Sequence, residues 1–248
     1  MQDITAFWPV TAAAAHASLL KGLLVTALFA VVGHRTRGVT RSGAWAGFGI
    51  AFILYACAGV GAFVVLVALF GVTFLATRLG HPQKLAAGVA ERSEGRDGWQ
   101  VLANLGVSSC AAVAYWYFRQ PALLGACAAA LAEAAADTVS SECGQAFRWP
   151  ARLLTTGARV AAGTNGGVSL GGTACGALAA LGLSLVAGWC HLLPMGSVGP
   201  VTAAALVGVF VDSLLGATLE RPGGLTNNSV NLAGTLAAAL LAWGWLSH

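Results

Sequence analysis

EAAADTVSSECGQAFRWPARLLTTGARVAAGTNGGVSLGGT, residues 133–173, is the stretch on which the reading of this chain turns. The sequence on either side is almost unbroken apolar residues, yet here Glu133, Asp137 and Glu142 close one such run. A glycine-rich turn from Gly163 to Gly167 (GTNGG) follows before the next run opens. A carboxylate in a hydrocarbon segment costs roughly 3 kcal/mol on insertion scales and more in simulation, so it marks a functional site by default. Acids beside a turn of available backbone N–H groups suggest a bound cation and a bound phosphate.

The composition says what surrounds this stretch. Of 248 residues, 57% are hydrophobic and 9% charged, against about 25% charged in a soluble domain. Eight apolar runs can be drawn, near 9–33, 43–59, 62–77, 99–118, 122–138, 168–190, 199–219 and 229–246. Each approaches the roughly 20 residues a helix needs to cross a bilayer. They are continuous rather than alternating, which predicts helices and excludes a barrel. The expected fold is an all-α integral membrane protein: one polytopic domain over 1–248, a bundle of about eight transmembrane helices. The first run carries Lys21 and has no basic leader, so it reads as a span and not a cleavable signal. Six cysteines lie mostly within apolar runs without metal-like spacing and read as small buried residues.

Charge placement gives orientation. Arg35, Arg37, Arg41, Arg78, Lys84, Arg92, Arg96, Arg148, Arg152, Arg159 and Arg221, eleven of the 13 basic residues, fall in loops on one side of the eight-run scheme. The positive-inside rule then puts both termini outside and the long loops in the cytosol. These clusters are topological signals, and no nucleic-acid partner is expected. Lys21 either lines a polar cavity, pairs with an acid or snorkels. Runs two and three are joined by a tight Ala58–Gly61 junction. The charged loop before run four has room for a short surface helix. Gln100 can cap run four, and Asn104, one turn on, reads as an interhelical hydrogen bond. Ser42 is a candidate cap for run two. Tyr115 to Phe118 form an interfacial aromatic belt.

The polar residues that remain carry the chemistry. Glu133 and Asp137 are four apart, so they lie on one helical face with Ser141. Two such acids raise each other's pKa unless a divalent ion or a basic partner intervenes; otherwise one is protonated and hydrogen-bonded in the bundle. Asp212 and Glu220 lie along one stripe of run seven, and an acid at the depth of Asp137 is what a shared ion site needs. Asn227, Asn228 and Asn231 open the last run; one of them can be a cap, and three exceed what capping needs. The glycine turn, with donors Thr164, Asn165, Ser169 and Thr173, is either an anion cradle or a flexible turn with glycine-mediated packing. It is not a Walker A loop, and with no strand expected before it, not a dinucleotide fingerprint either.

In this order, RDGWQVLAN (96–104), AAADTVSSECG (134–144), Pro150, LLTT (153–156), GTNGGVSLGGT (163–173) and DSLLGATLE (212–220) resemble the transmembrane protein 19 and phytyl-phosphate kinase family over about 34–234. One departure is Ser140, where the family pattern has Ala. The resemblance implies a multi-pass enzyme that phosphorylates a prenyl monophosphate, with a distant likeness to CTP-using dolichol kinase and CDP-diacylglycerol synthase. It implies that Asp137, Glu142 and Asp212 are the family's acidic positions.

Together these readings give a Mg²⁺-dependent prenyl-phosphate kinase in the inner membrane of a bacterial-type cell, its site on the cytosolic face. Asp137, Asp212, Glu142 and Lys84 would be catalytic, and the three acids would ligate Mg²⁺, which oxygen ligands favour over zinc. Gly163, Thr164, Asn165, Gly166, Gly167 and Ser169 would cradle phosphates. Lys84, Arg92 and Arg96 would neutralise charge, with Asn104 near the phosphates. Glu133, Glu220, Asn227, Asn228 and Asn231 would add polar lining. The expected partners are a nucleoside triphosphate, CTP by resemblance, a prenyl monophosphate and the bilayer. The alternatives are a CTP-dependent polyprenol kinase or cytidylyltransferase, and an ion-coupled transporter or channel built on Asp137 and Asp212.

Overall fold

A computed structural model describes residues 12–86, 88 and 94–248. The apolar runs become helices: α1 (Ala12–Arg35), α2 (Arg41–Ile53), α3 (Val60–Arg78), α5 (Gly98–Phe118), α6 (Ala122–Ala146), α7 (Leu170–Trp189), α8 (Val198–Leu215) and α9 (Asn227–Leu246). A short α4 (His81–Ala86) lies in the charged loop. Two π turns extend helices, Leu54–Ala58 after α2 and Gly216–Glu220 after α8. Six helical segments among the described residues are long and apolar enough to cross a membrane: α3, α5, α6, α7, α9 and the stretch Met195–Glu220 that contains α8. The chain is a helical integral membrane protein.

One helix organises the bundle. Of the most apolar window of α6, 78% is buried, against 28–39% in the other five spans. From Cys127 to Ala136 no residue is more than 2% exposed. Alanine makes this possible, because a helix with almost no side-chain bulk lets neighbours close on its backbone from every side. The neighbours answer with glycine. A Cβ at Gly172 would stand 2.6 Å from the Ser140 carbonyl oxygen, and one at Gly176 would stand 2.7 Å from that of Ala136. Gly172 and Gly176 are thus a small-residue pair, four apart, that seats α7 on α6.

The polar loops gather at one end. The Thr40 N–H donates to the Arg96 carbonyl (3.0 Å), the Arg96 N–H to that of Gly38 (3.1 Å), and Arg78 Nη2 to that of Thr36 (2.8 Å). Gly80, at the start of the next loop, packs on Ala146 at the C-terminus of α6. Between α6 and α7 the chain forms a small antiparallel sheet, β2 (Arg159–Val160), β1 (Ala151–Leu153) and β3 (Gly167–Val168), in the order β2-β1-β3. The sequence pattern predicts no strand there. These strands are two or three residues long, too short to alternate visibly, and the turn they brace lies inside an antiparallel sheet rather than a βαβ unit.

Several local readings hold and others shift by a residue or two. Asp97 and Gln100 form a reciprocal capping box on α5. Thr40, not Ser42, caps α2, and Ser42 instead accepts from the Gly98 N–H at 3.2 Å. Thr226 caps α9, so Asn227, Asn228 and Asn231 are not needed for capping. Lys21 is exposed on α1 and makes no ion pair among the described residues. Trp116, Tyr117 and Phe118 are exposed at the opposite end of the bundle, as an aromatic belt requires.

Gly176→Leu must push α7 off α6. Overpacking of this kind costs about 1–3 kcal/mol, so the melting temperature in detergent is expected to fall. The same change at Gly182, where no atom lies within 4 Å of the place a Cβ would take, is expected to leave it unchanged. Equal melting of the two variants would contradict this packing.

Candidate active site

At the loop-bearing end a cleft with about 760 Å³ of open space lies between the ends of α6 and α8, the start of α7 and the sheet. Helix α6 lends Asp137, Ser140, Ser141 and Gly144, spaced i, i+3, i+4 and i+7, which is one helical face. Asp212, Ser213, Gly216 and Glu220 come from α8 and its π turn. The glycine turn supplies Gly163, Thr164, Asn165, Gly166 and Gly167, followed by Ser169 and Thr173; Asn227 comes from the start of α9. Two acids 75 residues apart in sequence, Asp137 and Asp212, therefore share a cavity with the turn.

The turn is held in place by close backbone approach. Gly163 and Gly166 have φ of 88° and 72°, in the region that favours glycine. A Cβ on Gly166 would collide with the Ala217 nitrogen, so the turn packs directly on the π turn of α8. Single-turn π segments in α-helices occur often at functional sites; this one carries Gly216 to the turn and Glu220 to the cleft. The Gly167 N–H is used locally, donating to the Thr164 carbonyl at 2.8 Å. Ser169 caps α7 by accepting from the Gly172 N–H at 3.1 Å, and still lines the cleft. The start of α7 thus faces the cleft, with the positive end of its dipole. The glycine-rich segment divides in two: residues 163–167 line the cleft, and Gly172 and Gly176 do the packing.

The cleft's electrostatics are one-sided. Asp137 interacts electrostatically with Asp212 and Glu220, and all three are half-buried. No Lys or Arg lines the cleft among the described residues. Among the described residues no three His, Cys, Asp or Glu side chains converge as a metal cage. Two carboxylates without a cage fit Mg²⁺ of the nucleotide-bound kind, which keeps waters and takes its remaining ligands from phosphates.

Other expected residues lie elsewhere. Glu142 points away from the cleft into a buried salt bridge with Lys84 Nζ (2.5 Å), and Lys84 also donates to the carbonyls of Ala76 (3.0 Å) and Thr77 (3.2 Å). Lys84 is 1% exposed, so the short surface helix α4 turns its lysine inward and staples α3 to α6. The structure thus separates both residues from Asp137 and Asp212: four residues before Glu142, Thr138 already faces Arg96 and not the cleft. Arg96 Nη2 donates to Thr138 Oγ1 at 3.1 Å, on another side of α6, and interacts electrostatically with Asp137. Arg92 lies outside the described residues.

Glu133 is 1% exposed and sits deeper than the cleft, between α8 and α9. Gly208 and Gly234 make room for it, since a Cβ on Gly234 would stand 2.5 Å from Glu133 Oε1. That oxygen has no hydrogen-bond partner among the described residues. Asn104 and Asn231 are buried and join three helices. With its amide turned to suit its neighbours, Asn231 donates to Asp212 Oδ2 (3.2 Å) and to the Asn227 carbonyl (3.1 Å), and accepts from Asn104 Nδ2 (3.1 Å). The interhelical role expected of Asn104 is therefore realised through Asn231, which fixes Asp212. Asn228 is half-buried and is not part of the cleft lining.

Fold and cleft define a polytopic helical membrane protein with a polar site at one end of its bundle. Residues 24–239 match the family model described as integral membrane protein DUF92, and the chain belongs to that family. The motif resemblance points to the same family. The chain is 32% identical over 207 residues to an uncharacterized membrane protein of Synechocystis, covering 80% of each chain. It is 30% identical over 226 residues to an uncharacterized membrane protein of Methanocaldococcus jannaschii, covering 90% of this chain and 92% of the relative. Protein VTE6, chloroplastic, of Arabidopsis thaliana is 30% identical over 220 residues, 83% of this chain and 64% of the relative. No solved structure matches the chain.

If Lys84 and Glu142 serve as a staple, breaking one side leaves a buried charge unpaired. Lys84→Met is expected to destabilise the protein by about 3–5 kcal/mol, whereas the double variant Lys84→Met/Glu142→Leu recovers most of that loss. Thermal melting of both in detergent checks this, and a double variant no more stable than the single would contradict it.

Proposed function

We propose that the protein is a membrane-embedded lipid-phosphate kinase, which transfers the γ-phosphoryl group of a nucleoside triphosphate to a prenyl monophosphate and so gives the diphosphate. The observation that carries this reading is the meeting of Asp137 and Asp212 in one cleft with the 163–167 turn. Phosphoryl transfer needs a metal to bridge phosphate oxygens, donors to hold them and in-line placement of the acceptor. Asp137 and Asp212 would hold Mg²⁺, which would offset charge on the triphosphate. Asn231 holds the Asp212 carboxylate in place. Gly163 to Gly167 and the first turn of α7 would cradle the β- and γ-phosphates. An ionised phosphate acceptor needs no general base. Glu142 and Lys84 act in this scheme by fixing α6, and Glu220 and Asn227 line the far wall.

In the same scheme eight helices span the membrane with both termini outside, which would put the cleft on the cytosolic face where nucleotide is available. The basic loops at that end favour this orientation. The likeness of the motifs at 134–144, 163–173 and 212–220 to phytyl-phosphate kinase supports an enzyme acting on a prenyl phosphate. The cleft offers no group that singles out cytosine, so the base is to be found by trial. A cytidylyltransferase would use the same cleft but break the bond at the α-phosphorus.

Asp137→Asn and Asp212→Asn are each expected to lower diphosphate formation by at least about a hundredfold, the scale of losing one transition-state electrostatic contact. Both variants should elute and melt like the parent. The assay supplies purified protein with Mg²⁺, each nucleoside triphosphate labelled at the α- or γ-phosphate, and prenyl monophosphates. Lipid labelled from the γ position supports the kinase. Label from the α position identifies a nucleotidyl transfer, and full activity of either Asn variant removes the metal site from the mechanism.

A further inference from the structure

A second cavity lies on the other side of α6, and its chemistry is the reverse of the cleft's. It opens among α1, α2, α3, α5 and Ala134 of α6, with about 1000 Å³ of space that includes its open mouth. Its walls are apolar, with Phe29, Leu66, Leu69 and Phe70 among them. Along α3 the lining runs from Leu66 to Arg78, a rise of about 18 Å at 1.5 Å per residue. Three cations, Arg37, Arg78 and Arg96, stand at the loop end, and no acid lines the cavity among the described residues. Arg78 is held there by its bond to the Thr36 carbonyl (2.8 Å) and by lying 4.2 Å over the Phe74 ring.

An elongated apolar cavity closed by arginines at the polar end fits an amphiphile with a single anionic head, because guanidinium forks pair well with phosphate oxygens. We infer that this groove holds the phosphoryl acceptor, an isoprenoid monophosphate with its tail along α3 and its phosphate at the arginines. The inference rests on the kinase reading for the acceptor's identity, and on the groove alone for its location. Side chains link the two sites across α6 and its neighbours. Arg96 reaches Thr138, the residue after Asp137. Asn104 lines the groove, and through Asn231 it is joined to Asp212 in the cleft. For transfer, acceptor and donor would have to meet at the loop end of α6, where Arg96 both lines the groove and interacts electrostatically with Asp137. A monophosphate oxygen attacks the γ-phosphorus, the bond from that phosphorus to the β–γ bridging oxygen breaks, and the nucleoside diphosphate leaves with that oxygen. The dianionic acceptor and tetraanionic triphosphate become two trianionic diphosphates, and no proton moves.

Gly47 provides the test. It lines the groove from α2, and nothing lies within 4 Å of where its Cβ would stand, so a large side chain there enters open space. Gly71 on α3 is equally open, is not part of the lining, and serves as the control. The full chain in nanodiscs would be irradiated with a prenyl monophosphate carrying a diazirine at its tail end, and the labelled residues mapped by mass spectrometry. Label is expected on α1 and α3 near Phe29 and Leu66. Gly47→Trp should reduce it about tenfold, equivalent to 1.4 kcal/mol of binding, with Gly71→Trp unchanged and both variants eluting as the parent does. A prenyl alcohol should compete poorly and phosphatidic acid hardly at all. Label on α7–α9, label indifferent to Gly47→Trp, or equal competition by phosphatidic acid, which would mark a slot for bilayer lipid, overturns the assignment. Groove labelling as expected, with no nucleotide consumed for any prenyl phosphate, defeats the kinase reading and leaves the groove; turnover with label elsewhere does the opposite.

Discussion

Carboxylates cannot face hydrocarbon, and the architecture of this protein follows from where its acids are allowed to be. The most enclosed helix, α6, carries Glu133, Asp137 and Glu142 toward its C-terminal end. Each has a different solution. Glu142 is neutralised by a lysine from outside the bundle core. Glu133 is enclosed by the glycines of α8 and α9. Asp137 opens on a polar cleft, opposite an acid from another helix. Alanine and glycine at the helix contacts make this feasible, since only thin helices can surround a polar centre closely enough to shut out lipid.

A second constraint is the division of charge across α6. The cleft presents carboxylates and the glycine turn, while the groove behind it presents arginines and apolar rings. Arg96 stands between the two, lining the groove and interacting electrostatically with Asp137. Were the acids in the groove, they would repel an anionic lipid head. The helix keeps the two apart and still brings them within one hydrogen-bonded relay, Asn104 to Asn231 to Asp212. The π turn after α8 and the short sheet before α7 have the related task of bringing a glycine turn against the acids without a long loop.

Much of this is legible in the sequence for a simple reason: in a chain with so few charges, each one is informative. The apolar runs, the Asp137 and Asp212 pairing, the glycine turn and a capping role for Gln100 all follow from composition and spacing. What cannot be read is direction. Lys84 sits in a segment that reads as surface, and only the packing of α4 shows it turned inward to Glu142. Arg96 groups with Lys84 by sequence, yet the bridge between Val39 and Arg96 places it at the groove. The groove itself is invisible in the sequence, because its lining comes from five helices and its residues are ordinary apolar ones. Of the glycines that line it at 33, 38, 43 and 47, three would bring a Cβ against neighbouring atoms, and Gly47 alone borders open space.

The proposed chemistry depends on acids from α6 and α8 holding one divalent ion against phosphates cradled by the 163–167 turn. Mn²⁺ in place of Mg²⁺ makes this visible by electron paramagnetic resonance, with ³¹P hyperfine couplings reporting contact with nucleotide. One tightly held Mn²⁺ per chain is expected in the presence of a non-hydrolysable nucleoside triphosphate, showing ³¹P couplings and lost in Asp137→Asn and Asp212→Asn. Mn²⁺ bound without phosphorus coupling, or bound equally well without those carboxylates, would contradict it.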